Sequence, residues 1–182
     1  ATLSPDEVER SARFVSHDHE NLFIAGRAIL RQILSSYLAV RPQNIVFRYA
    51  ARGKPYLQSP QNLQFNLAHS GGRALYAISA NELGVDVEFI KPWRDWEKIS
   101  ARFFSSRESA ELAGFDTARQ IAGFFACWTR KEAYIKATGE GMATSLGKFY
   151  AGADPAQKEG KIQQDGSQQD WYFKDLELGH QY

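Results

Sequence analysis

Gly84-Val85-Asp86-Val87-Glu88 alternates apolar and acidic residues. In an extended chain successive side chains face opposite ways, so Val85 and Val87 share one face and Asp86 and Glu88 the other. Two carboxylates so placed repel unless a cation or a proton lies between them. A hard divalent ion, above all Mg²⁺ held by a few carboxylates and phosphate oxygens, would relieve the repulsion. An edge strand with its two acids in water accounts for the same five residues. Alone, the pentapeptide leaves both readings open.

Downstream lies Trp128-Thr129-Arg130-Lys131-Glu132-Ala133-Tyr134-Ile135-Lys136, inside a helix expected from about Thr117 to Thr138 and closed by Gly139. Glu132 and Lys136 are four apart and share a face, which is what a plain surface ion pair also needs. Trp128, one turn earlier on that stripe, argues that the face is not wholly in water. An acid and a base held near apolar bulk suit proton transfer and phosphate neutralisation.

Further out, Ser4-Pro5-Asp6-Glu7 has the spacing of a helix start, serine at the cap and glutamate three residues on. A second helix is expected from near Asp18 to Leu38, with Leu22, Gly26, Ile29, Ile33 and Tyr37 on one stripe. Ile45 to Tyr49 reads as a strand and Ala51-Arg52-Gly53-Lys54-Pro55 as a turn carrying two cations. Phe65 to His69 reads as extended, ended by Ser70-Gly71-Gly72, whose backbone could come close to a phosphate. Ala74 to Ser79 and Leu83 to Phe89 read as a hairpin about Asn81-Glu82. Ser105 with Glu108 repeats the cap spacing before a short helix to about Leu112. After Gly152 a loose hairpin is expected, Trp171 to Leu176 being its best strand. The pattern is an α+β chain with an approximate internal duplication, divided into halves 1–88 and 89–182.

Composition bounds the function. The 182 residues are 43% hydrophobic, enough for a core, and 22 basic residues nearly balance 21 acidic ones. No overall field therefore draws nucleic acid or a membrane surface, and any anion site must be local. The single cysteine, Cys127, forms no internal disulfide or thiolate zinc site, and fits a buried thiol in a reducing cytoplasm. Apolar runs are much shorter than a membrane span, and no signal peptide is read.

In order, Gly53-Lys54-Pro55, Phe65-Asn66-Leu67-Ala68-His69-Ser70, Gly84-Val85-Asp86-Val87-Glu88 and Trp128-x-x-Lys131-Glu132-Ala133-x-x-Lys136 resemble the 4′-phosphopantetheinyl transferase superfamily, specifically its Sfp type. Weaker similarity reaches back to Ser4-Pro5-Asp6-Glu7 and Ala25-Gly26-Arg27, so most of the chain is covered. The resemblance implies a monomeric pseudo-dimer of two α+β halves, with coenzyme A in the cleft between them. It implies transfer of the phosphopantetheine arm of coenzyme A to a serine of an apo acyl or peptidyl carrier protein, releasing 3′,5′-ADP.

Residue by residue, it implies Mg²⁺ on Asp86, Glu88 and Glu132, with Glu132 also the general base, acting directly or through water. Lys136 would neutralise the pyrophosphate. Arg52 and Lys54 would lie at the adenosine end, His69 at the 3′-phosphate, with Asn66 and Ala68 in the same cofactor-lining segment. The carrier would dock on a locally positive, apolar surface that includes Arg102, Phe103 and Phe104. Two departures stand out: the family usually has serine where this chain has Ala68, and relatives carry a further strand upstream and another following Gly179-His180. Competing readings are the smaller trimeric holo-acyl-carrier-protein synthase type, a non-catalytic coenzyme A or nucleotide-binding relative, and a plain interaction domain.

Overall fold

The acidic pentapeptide and the helix bearing Glu132 fall within one compact unit. The computed structural model describes residues 2–58, 62–91, 95–141, 146–164, 166, 168–179 and 181–182. The chain divides into two compact units, Ala1–Gln64 and Phe65–Tyr182, each a mixture of helix and sheet.

The first unit contains α1 (Pro5–Ser11), α2 (His17–Leu38) and an antiparallel hairpin of β1 (Phe47–Tyr49) and β2 (Pro55–Leu57). The cap spacing at Ser4 is realised, its backbone N–H donating to Glu7. Glu7 does more than cap. Its buried carboxylate takes Arg31 Nε at 2.6 Å, while Arg31 also donates to the carbonyls of Pro42 and Ile45 and to Ser4 Oγ. The inward face of α2 is therefore Arg27, Leu30, Arg31 and Leu34. The apolar stripe read from spacing turns outward instead, Leu22, Ile29 and Tyr37 being 51%, 43% and 59% exposed. Helical period alone cannot see that a distant glutamate draws two arginines inward.

In the second unit, but for its first residue, β3 (Gln64–Ser70) forms a hairpin with β4 (Arg73–Ser79) about Gly71-Gly72, both glycines at positive φ. This corrects the expected pairing of β4 with residues 83–89. Two consecutive glycines supply the left-handed conformations of a tight turn, which Asn81-Glu82 supplies less readily. Residues 82–90 join no ladder among the described residues. Their burial still alternates, with Val85 and Val87 inside and packed with Ala68, Leu75 and Tyr182.

Three helices follow: α3 (Trp96–Phe103), α4 (Ser106–Gly114) and α5 (Thr117–Thr138). The α5 bounds match the expectation, with Asp116 accepting from the Arg119 N–H and Gly139 closing the helix at φ 69°. The sequence reading did not anticipate α3. Its end carries the expected docking aromatics, but Phe104 is core and Phe103 packs against it; Arg102 alone is exposed. Beyond α5 the expected loose hairpin is a three-stranded antiparallel sheet of β5 (Phe149–Tyr150), β6 (Glu159–Gln164) and β7 (Trp171–Lys174). His180, near which a further strand is expected, lies outside the described residues.

Helix α5 is the spine. One end packs Phe124, Phe125 and Cys127 with Phe104 and Leu112; the other packs Tyr134 and Ile135 with Phe149 and Ile162. Between them Lys131 and Glu108 pair at 2.8 Å with no exposed surface on either. Lys131 Nζ also donates to the carbonyls of Leu146 and Phe149, both at 2.7 Å. Glu108 accepts from Ser105 and from the Ala151 N–H. Removing one member of such a pair strands a buried charge, a loss of about 3–5 kcal/mol. Lys131→Met should accordingly lower the stability of this unit by that amount in urea unfolding; an unchanged midpoint would show that the pair does not hold α5.

Candidate active site

Residues 82–90 lie along α5 and are tied to β3 by side chains rather than by a ladder. The Val85 N–H donates to Asn66 Oδ1 at 2.9 Å. Further along, the Phe89 N–H donates to Ser70 Oγ at 3.1 Å, and Ser70 Oγ donates to Glu88 Oε2 at 2.8 Å. With the valines packed inward, Asp86 turns to the helix. Lys136 Nζ donates to Asp86 Oδ1 at 2.6 Å and to the Val85 carbonyl at 3.3 Å.

The Asp86 side chain is 7% exposed, and its other oxygen, Oδ2, is buried with no well-formed hydrogen bond among the described residues. Burial raises the Asp86 carboxyl above its ordinary value; Lys136 pulls it back and the charge of Glu88 adds to the rise. Half-buried Glu132 is raised as well, first by burial, then by the charge of Asp86, with Lys136 opposing and Glu88 adding. Asp86, Glu88, Glu132 and Lys136 thus form one electrostatic cluster. A surface ion pair in water would not couple them in this way.

Among the described residues no three acidic, histidine or cysteine side chains converge closely enough to hold a metal by themselves. The donor set nevertheless fits a hard cation. Asp86 offers an orphaned oxygen, and the neighbouring carboxylates penalise one another's charge. A cavity of about 420 Å³ runs beside the cluster between residues 82–90, α5 and β7; Asp86 and Glu88 reach its wall, which is otherwise mainly apolar.

The other expected contacts divide. Asn66 is engaged with Val85, and Ala68 is buried against Val85 and Val87, so its side chain is core. His69 is exposed on β3. Arg52 and Lys54 sit in the β1–β2 turn of the first unit, where the Ala50 N–H donates to the Lys54 carbonyl. Ser70, named in the sequence only as the end of the extended segment and of its motif, bridges Glu88 to the backbone. Cys127 is buried as expected, its thiol pushed well up by burial. No helix among the described residues is long and apolar enough to cross a membrane.

A family model described as the 4′-phosphopantetheinyl transferase superfamily matches residues 82–182, and one described as 4′-phosphopantetheinyl transferase, N-terminal, matches residues 1–82. The chain belongs to the 4′-phosphopantetheinyl transferase superfamily. It is 44% identical over 147 residues to the 4′-phosphopantetheinyl transferase HetI of Nostoc sp., covering 79% of this chain and 62% of that protein. It is 36% identical over 128 residues to 4′-phosphopantetheinyl transferase psf-1 of Bacillus pumilus, covering 70% and 54% respectively. To 4′-phosphopantetheinyl transferase Sfp of Bacillus subtilis it is 29% identical over 147 residues, 81% of this chain and 65% of the relative. The matched part is thus somewhat under two thirds of these relatives' length, and the Sfp type is among them.

The raised Glu132 carboxyl has a consequence for stability. Its folded form favours the proton, so its stabilising contribution is present below the ordinary glutamate range and is lost as pH rises through the folded value. Glutamine cannot ionise. Glu132→Gln should therefore raise the melting temperature at neutral pH, and the gain should fade below about pH 4. A gain of equal size throughout that range would mean that ionisation of Glu132 is not its source.

Proposed function

We propose that this chain transfers 4′-phosphopantetheine from coenzyme A to a serine of an apo acyl or peptidyl carrier protein, releasing 3′,5′-ADP. The observation that carries the reading is the meeting of Asp86 with Lys136 beside a Glu132 of raised proton affinity. In the reaction the serine oxygen bonds to the β-phosphorus of coenzyme A, and the bond from that phosphorus to the oxygen of the ADP group breaks. The hydroxyl proton needs an acceptor, and a carboxylate whose burial strengthens it as a base is suited to the task. Glu132 takes that role. Lys136 stands four residues on, where its ammonium can follow negative charge onto the departing phosphate. When bound by Asp86, Glu88 and Glu132, Mg²⁺ supplies further neutralisation of the pyrophosphate.

The cofactor contacts extend the proposal. Arg52 and Lys54 take the adenosine end and His69 the 3′-phosphate; Asn66 and Ala68 lie in the same segment, Ala68 through its backbone. Functionally the chain divides at residue 88, the first half ending in the acidic segment and the second carrying α5. We infer a monomer working in the cytoplasm, consistent with a single buried thiol.

Incubation with coenzyme A, Mg²⁺ and several apo carrier proteins, followed by intact mass, tests the reading. A phosphopantetheine mass gain on at least one carrier is expected. Folded protein that binds coenzyme A and modifies none would favour a non-catalytic relative. Glu132→Gln should lower turnover by at least a hundredfold while coenzyme A binding persists, and near-normal turnover would remove it as the base. Lys54→Ala should raise the coenzyme A concentration needed, with turnover at saturation kept.

A further inference from the structure

Gly84 stands two residues before Asp86, where the acidic segment lies against the α5 backbone. A Cβ built on it would fall 1.9 Å from the Ala133 carbonyl oxygen and 2.5 Å from the Ala137 N–H nitrogen. Both neighbours are backbone of an intact helix, so neither can yield by turning a side chain. Gly84 has no positive φ, so its φ does not call for glycine. The contact alone demands glycine.

The segment is held from its other side by Asn66, which takes the Val85 N–H. It is thus gripped between β3 and α5, and the thickness of the grip at Gly84 fixes how far Asp86 stands from the helix. One turn beyond Ala133 on α5 is Lys136, whose Nζ reaches both Asp86 and the carbonyl of Val85. A methyl group at position 84 must lift the segment by more than an ångström before ordinary contact is restored, which is enough to break a hydrogen bond.

We infer that Gly84 is the positioning residue of this site: its missing side chain seats the acidic segment on the α5 backbone and so sets the Asp86–Lys136 distance. Glycine touches no reacting group; it acts through Asp86. The inference deepens the transferase reading and rests on it for its catalytic consequence, though not for the contact itself.

The test compares Gly84→Ala with Gly123→Ala. Gly123 is a buried glycine within α5 itself, whose Cβ would come 2.9 Å from the Ala153 carbonyl oxygen, and it controls for general loss of packing. In each background Asp86→Asn and Lys136→Met are made singly and together, and the urea midpoints are checked for additivity. Non-additive shifts are expected in the parent and in Gly123→Ala, and additive ones in Gly84→Ala. In the transfer assay, Gly84→Ala should lose at least tenfold in turnover at saturating coenzyme A, while Gly123→Ala should lose melting temperature and keep its turnover. Parent-like coupling in Gly84→Ala, or additive shifts in the parent, would overturn the inference. If Gly84→Ala fails to fold, Ala133→Val carries the test, since Ala133 supplies the carbonyl at this contact and lines the same cavity as Gly84. Loss of coupling there supports the inference and retained coupling sinks it. A parent that modifies no carrier protein defeats the transferase reading, while the coupling still decides the role of Gly84.

Discussion

Lys131 and Glu108 are held together without a trace of solvent, and the geometry of the second unit depends on that bond. Two charges withdrawn from water lose several kcal/mol of hydration each, which their attraction recovers only if every remaining donor and acceptor is matched. Here they are matched. The ammonium meets a carboxylate and two carbonyls, while the carboxylate collects the Ser105 cap and the Ala151 N–H. Because α4, α5 and the chain around Leu146 to Ala151 all contribute, none can slide without leaving a buried polar group unpaired. The constraint falls on the rotation of α5, since Lys131 is the neighbour of Glu132.

What could be read in the sequence was whatever local chemistry determines. Gly139 closes α5, and Ser105 with Glu108 starts α4. The alternation at Val85 to Glu88 gave the correct faces even without a ladder. Readings failed where the deciding partner is distant. Spacing on α2 favoured Leu22, Ile29 and Tyr37, but Glu7 fills its inner face with arginines. Asn81-Glu82 was credited with a turn that Gly71-Gly72 makes. The capping-box reading of Glu108 was right and incomplete, because a cap residue can also receive a lysine from a helix that local spacing cannot place. The candidate site divides similarly: Asp86 and Lys136 come from two separate local patterns and meet only in the fold, and the brace supplied by Ser70 and Asn66 is tertiary as well.

Stability and reactivity pull against each other around Asp86. A buried carboxylate with an unpartnered oxygen, beside two others, costs stability that ordinary packing would avoid. Such a cluster persists only when the scaffold around it is over-determined. Val85 and Val87 packed beneath the segment, with α5 beyond it, supply that determination.

Adjacent residues on an α-helix point about 100° apart, so Lys131 and Glu132 cannot serve the same surface. The first turns into the core, where full burial makes its charge a structural brace; the second is only half-buried, where its charge can be altered by a proton. Lys136, one turn from Glu132, returns to the same side and moderates the proton affinity of both Glu132 and Asp86. The Lys-Glu-Ala-x-x-Lys spacing is therefore two devices in one helical stretch. Moving either lysine by one position would transfer a charge from the face that needs it to one that cannot hold it. That geometric demand explains the pattern of charges along these two turns.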